Sequence, residues 1–169
     1  MSSAPAQKLT VPGAIGMAAG GLVGAYAGLS LLLPLSGAAA AWWVSRKVLP
    51  EPSHSVIPAL AVQTGHALWI TLGLIIIGTL DANALDPVIL LVGIAWLAAR
   101  PSNGPVYFLA VFQIIGLGIN ASAFVDATVG TAIHKALLVH VLLRALSLFL
   151  LGQLWFRLRK ISRTENGDL

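Results

Sequence analysis

The apolar runs of this chain limit what it can become more than any other feature. Residues 11–44, 56–80, 87–99, 105–125 and 127–156 are five hydrophobic stretches separated by short polar junctions, and the first four carry no Lys, Arg, Asp or Glu. A helix crosses a bilayer core with about 20 apolar residues. Hydrophobic residues make up 57% of the sequence and charged ones 9%, against roughly 25% charged in a soluble domain. So few charges cannot cover a water-facing surface, so most of the exterior is expected to face lipid. Within lipid each segment must satisfy its own backbone polar groups, and no run shows the strict two-residue alternation of a strand. The expected fold is therefore all-α, a polytopic integral membrane bundle with five transmembrane helices.

The first run is long enough for two readings. As one helix it is about 50 Å long by helical rise, steeply tilted and bent at Pro34. As a hairpin it turns at Pro34–Gly37 and brings the number of spans to six. Its length also argues against a cleaved leader, whose apolar part is about 7–15 residues. Residues 1–10 read as a tail, 11–156 as a single membrane domain and 157–169 as a basic tail.

The punctuation fits helices. Asp86–Pro87 reads as a capping carboxylate before a first-turn proline, Asn103–Pro105 as another start, and Asp126 as the cap of the last segment. Arg46, Lys47, Arg100, Arg157, Arg159, Lys160 and Arg163 fall at alternate junctions, with Asp81, Asp86 and Asp126 at the others. The positive-inside rule puts the basic junctions and the C-terminus in the cytoplasm, in a cytoplasmic (inner) membrane. Trp42, Trp43, Trp96 and Trp155 lie near those charges, as an interfacial belt does, whereas Trp69 lies deep. The net charge of +4 comes from these flanks, so lipid headgroups are the expected anionic partner, and nucleic acid is not expected.

Gly16, Gly20, Gly24 and Gly28 recur at every fourth residue. Residues at that spacing share a helix face, and small side chains let two backbones approach in lipid. This glycine zipper is expected to dock another helix, either within the chain, against Gly116, Gly118 and Ser122 or Ala61, Gly65 and Gly73, or in a second copy or partner protein.

A few polar side chains fall inside the runs. Counted by helical rise from Val56 and Phe156 at one interface, Gln63 and Gln113 lie about 11–12 Å deep, His66 about 15 Å and Arg144 about 18 Å. Asn120 follows at about 22 Å and His140 at about 24 Å. His140, Arg144 and Ser147 share one arc of their helix. With the acids placed at the opposite interface, Arg144 is expected to have no countercharge. Gln113, Asn120, backbone carbonyls, water or a bound anion are left to meet it. Arg144, His140, His66 and Asn120 are the expected ligand-binding residues.

The layer admits other readings: hydrogen bonds that only hold helices together, or His66 with His140 or His134 as axial ligands of a haem in the anchor subunit of a redox complex. The roughly 9 Å between the depths of His66 and His140 counts against haem, and no cofactor is expected. The chain has no cysteine, and it carries no H-E-x-x-H motif, phosphate loop, intramembrane carboxylate pair or usable Ser-His-Asp set. It therefore reads as a non-enzyme without a metal site: a transporter or channel for a small anionic or polar solute, with a non-catalytic anchor or assembly subunit as the alternative. A cavity reaching Arg144 favours the first and a solid interior the second. Gly24→Leu is expected to lower the thermal stability of the bundle in detergent, measured by the shift in unfolding temperature.

Overall fold

The computed structural model describes residues 31–77 and 85–165. These form five α-helices and no strand: α1 (Leu32–Val48), α2 (Ile57–Ile77), α3 (Leu85–Ala99), α4 (Asn103–Asp126) and α5 (Ala132–Glu165), with a 3₁₀ turn at Glu51–Val56 leading into α2. The glycine face from Gly16 to Gly28 lies outside the described residues, as do residues 1–10 and Asp81.

Local chemistry explains the breaks. Pro50 and Pro52 interrupt the chain after α1, where His54 Nε2 sits 3.1 Å from the carbonyl oxygen of Leu49 at the helix end. Ser102 is extended before α4 and places Pro105 within its first turn, where a missing N–H costs nothing. Between α4 and α5 the chain turns through Gly130 at a φ of 86°, a left-handed conformation that suits glycine. The Thr131 hydroxyl then accepts the His134 N–H at 3.2 Å and caps α5.

That cap corrects one expectation. Asp126 is the last residue of α4, not the start of α5, because Thr131 supplies the capping oxygen closer to the first helical turn. A turn at Pro34–Gly37 is likewise overturned. These residues lie in the first turns of α1, where proline is tolerated. The division at residue 157 falls inside α5, which runs unbroken to Glu165.

Among the described residues, three stretches are long and apolar enough to cross a membrane: Ser53–Ile76, Asn103–Asp126 and Ala132–Ile161. Helix α3 is shorter, at 15 residues, and α1 has Arg46 and Lys47 in its last turn. Large apolar side chains cover the outside of the bundle, among them Ile76, Ile119, Val125, Phe149 and Phe156. An apolar exterior this broad suits lipid better than water.

The main core joins Val56, Leu60, Leu97, Leu109, Leu151 and Leu154, with Leu49 and Leu158 packed against it. It ties the α1–α2 corner to the end of α3, the start of α4 and the later half of α5. The basic residues adjoining these positions therefore gather at one end of the bundle. Tryptophans accompany them. Lys47 lies 3.7 Å above the Trp43 ring, Arg159 lies 4.6 Å from the Trp155 ring, and Trp155 donates to the Tyr107 hydroxyl at 2.8 Å.

Helices α1 and α2 cross at Gly65, where an added Cβ would press on the carbonyl oxygen of Pro34 and lie 3.1 Å from Ala38. Gly65 thus serves α1. Gly65→Leu is expected to force this crossing apart and cost about 1–3 kcal/mol, as overpacking does; a lowered unfolding temperature with helicity retained checks it.

A polar layer at the centre of the bundle

Four helices contribute to one buried polar layer. Helix α2 brings Gln63 and His66, α3 brings Asp86, α4 brings Gln113 and Asn120, and α5 brings His140, Arg144 and Ser147. Spacings of three, four and seven residues place each set on a single helix face. Gln63, His66, Gln113 and Ser147 are wholly inaccessible and Arg144 is 1% exposed.

The contacts form a chain. Arg144 Nη2 donates to Asp86 Oδ2 at 2.8 Å, and Nη1 donates to Gln113 Oε1 at 3.1 Å. Gln113 Nε2 in turn donates to Gln63 Oε1 at 2.5 Å. One turn along α5, His140 Nδ1 lies 3.2 Å from His66 Nε2, with the Trp69 ring centred 6.2 Å from that of His140. The guanidinium crosses the surface of α4 at Gly116, where a Cβ would overlap Nη1 and Cζ. A side chain there would have to displace the guanidinium. The Phe112 ring faces the same guanidinium at 5.4 Å, adding a cation–π contact.

The expectation of a cation without a countercharge is therefore wrong. Its source is the length of α3. Counting back from Ala99, Asp86 stands about 20 Å from the basic end by helical rise; counting forward from Asn103, Gly116 stands about 20 Å from the same end. A helix of 15 residues stops short of the far side of the longer α4, so its first turn opens at mid-depth. Asp86 also lies within α3, not ahead of it, and its carboxylate meets Arg144.

The depth gap between His66 and His140 is corrected too, since the two rings touch. Their contact sets Val56 level with about residue 150 of α5, by equal counts along antiparallel helices, and Leu151 is in the same cluster as Val56. Phe156 is thus the wrong mark for a shared level. Two imidazole nitrogens facing each other at 3.2 Å leave no room for a porphyrin between them. His134 lies elsewhere, its ring centred 4.2 Å from that of Phe124.

A cavity of about 220 Å³ reaches Arg144, walled by Asp86, Phe112, Gly116 and Asn120 with the apolar chains of Leu85, Ile115 and Ile119. Asn120 thus meets the expected site through the cavity wall. The Asp86 side chain is 42% exposed, so the cavity carries a charged pair, one partner buried and the other partly exposed. Within the layer, Gln63 Nε2, His66 Nδ1, Trp69 Nε1, Arg144 Nε and Ser147 Oγ are buried without a hydrogen-bond partner among the described residues. Among the described residues no three His, Cys, Asp or Glu side chains come together as metal ligands.

Sequence reasoning brought forward Arg144, His66, His140, Asn120, Gln63, Gln113 and Ser147, and missed Asp86 and Gly116 as parts of the layer. The signal for Asp86 was the shortness of its segment. Nothing local in the sequence marks Gly116, because only the tertiary crossing gives it a task. No family model, curated protein or solved structure matches the chain.

In an ordinary helix interior Gly→Ala stabilises by roughly 1 kcal/mol. Gly116→Ala is expected to destabilise instead, by about 1–3 kcal/mol. Combined with Arg144→Leu, the same change should recover its ordinary sign. Denaturant or thermal unfolding of the two singles and the double variant checks this coupling.

Proposed function

We propose that this chain is a multi-pass protein of the cytoplasmic membrane that moves a small anionic solute, with Arg144 as the binding cation. Three long apolar helices and a hydrophobic exterior support the membrane assignment. Gathered basic residues at one end of the bundle support a cytoplasmic position for that end and for the last turns of α5.

One observation carries the reading: the cavity reaches a guanidinium whose countercharge is a carboxylate 42% exposed. An anchor or assembly role calls for no such cavity. An ionised group at this depth marks a solute or ion path more often than a structural contact, and the planar fork of Arg suits carboxylate-like anions.

The Asp86 contact changes how such a site works. A solute cannot simply fall onto a bare cation; it has to replace Asp86. The incoming anion takes Nη2 as the Asp86 carboxylate swings away from it, so Arg144 remains paired throughout. That exchange avoids the roughly 3–5 kcal/mol cost of leaving a buried charge alone. Gln113 holds Nη1 during the swap, and Gly116 keeps the guanidinium against α4. Asn120 offers an amide to the solute, and His66 and His140 lie one turn away on the same layer. No bond-making chemistry is assigned to any of them.

The sign of one variant tests this. Acetate is expected to raise the unfolding temperature of the purified protein. Asp86→Asn removes the internal competitor, so half-stabilisation should need roughly tenfold less acetate, equivalent to about 1.4 kcal/mol. Arg144→Gln should abolish the response and the uptake of labelled acetate into proteoliposomes. An Asp86→Asn protein that needs more acetate, or an Arg144→Gln protein that responds like the parent, overturns the proposal.

A further inference from the structure

The layer contains a second device that the anion site does not use. His66 and His140 meet through one ring nitrogen each, 3.2 Å apart, with ring centroids 5.5 Å apart. His66 is fully buried, and its outer nitrogen, Nδ1, has no partner. Other unpartnered polar atoms lie along the same seam between α2 and α5. Gln63 Nε2 and Ser147 Oγ are on the side of the basic end, and Trp69 Nε1 is on the other. From Ser147 to the level of Trp69 the seam covers about 15 Å by helical rise, about half of a ~30 Å hydrocarbon core.

A purely structural histidine pair is completed by its surroundings, because a buried polar atom left unpaired costs about 1–3 kcal/mol. Here the outer face of His66 stays polar and uncommitted, next to other uncommitted groups. Polar atoms grouped in this way are the setting in which ordered water binds.

We infer that the His66–His140 pair is a proton-relay site, taking a proton from water on one ring and releasing one from the other. In the starting tautomers, the His66 Nε2–H donates to the bare His140 Nδ1, and His140 carries its one N–H hydrogen on Nε2. A water-borne proton binds His66 Nδ1. The Nε2–H bond of His66 breaks as the N–H bond at His140 Nδ1 forms, and the proton on His140 Nε2 leaves to water. One proton enters and one departs, and neither ring holds net charge at the end. Net transfer is completed when both rings return to their starting tautomers; handing the protons back by the same steps carries none across.

Among the described residues, the charged groups of the layer are Arg144 on α5 and its counter-ion Asp86 on α3. Among the described residues, α4 presents Gln113 and Asn120 to the layer and the α1 side presents Leu31 and Pro34, none of them titratable. Gln63 and Ser147 offer hydrogen-bonding stations on the side of the basic end, and Trp69 offers a donor on the other.

The relay rests on the membrane assignment above but not on the anion site. Proteoliposomes loaded with a pH-sensitive dye, with valinomycin and potassium to balance charge, are given a pH step. Wild-type vesicles should collapse the gradient faster than protein-free ones, and His66→Gln and His140→Gln should each return the rate to the protein-free level. Wild-type vesicles no faster than protein-free ones, or a folded Gln variant as fast as the parent, overturn the relay.

Nitrogen-15 NMR of histidine-labelled wild-type protein gives a reading that no variant can spoil. Exchange of each ring of the pair between its two tautomers is expected. A single fixed tautomer, the mark of a static staple, overturns the relay. The acetate measurement separates the two proposals. Acetate stabilisation with no proton flux removes the relay and keeps the anion site, whereas proton flux with no acetate response does the reverse.

Discussion

The contact between Arg144 and Asp86, made across the bare backbone of Gly116, is the constraint around which the centre of this bundle is arranged. A guanidinium inside an apolar bundle has to find a countercharge and further acceptors, because low polarity magnifies whatever is left unpaired. Each requirement falls on a different helix. Helix α3 has to be short enough for Asp86 to lie at mid-depth. Helix α4 has to lack a side chain where the guanidinium crosses and carry Gln113 one turn away. Helix α2 has to present Gln63 to hold the Gln113 amide in turn. The ion pair and the two amide contacts that extend it thus tie four helices in register, something apolar packing in lipid does poorly because Leu against Leu is no better than Leu against an acyl chain.

This explains which parts of the structure were legible in the sequence. The helices follow from solvation: an uncharged run must bond its own backbone, so its existence is local information. The start of α4 near Pro105 and the clustering of the basic residues are local for the same reason. Register is another matter. His66 and His140 are 74 residues apart, and their meeting depends on how far α2 slides along α5. Helix ends estimate that slide poorly, because α5 continues nine residues beyond Phe156 as far as Glu165. Asp86 was misplaced by an assumption that each segment reaches both interfaces. The shortness of its run contradicts that, and the arithmetic was open to a reader of the sequence. Thr131 outcompeting Asp126 as a cap is the milder case: both can cap, and the geometry of the Gly130 turn decides between them.

The layer is also unusual in what it leaves undone. Glue between helices is most effective when every donor and acceptor is matched, since a partly satisfied network forfeits much of its gain. The hydrogen bonds from Asp86 through Arg144 and Gln113 to Gln63 are short and specific, yet five polar atoms around them are unpartnered. Buried groups of that kind need an explanation in any fold. A static polar staple supplies none, whereas a site that accommodates a changing set of small polar guests needs such valences free when the guest is elsewhere.

The two proposed devices share α5, with His140 and Arg144 one turn apart. An anion crossing a bilayer alone carries its charge through a medium that penalises it heavily, and Arg144 relieves that only while the two are in contact. A proton moving through the adjoining histidines changes the balance. If anion and proton travel the same way, the sum of the charges moved is zero, and the membrane potential neither helps nor opposes the passage. The Arg144–Asp86 pair fits this arrangement, because it returns the resting site to near neutrality once the solute has left. Separation by a single helical turn then has a physical purpose: it is close enough for a charge at one station to be felt at the other, yet far enough that His140 does not compete with Asp86 for the guanidinium.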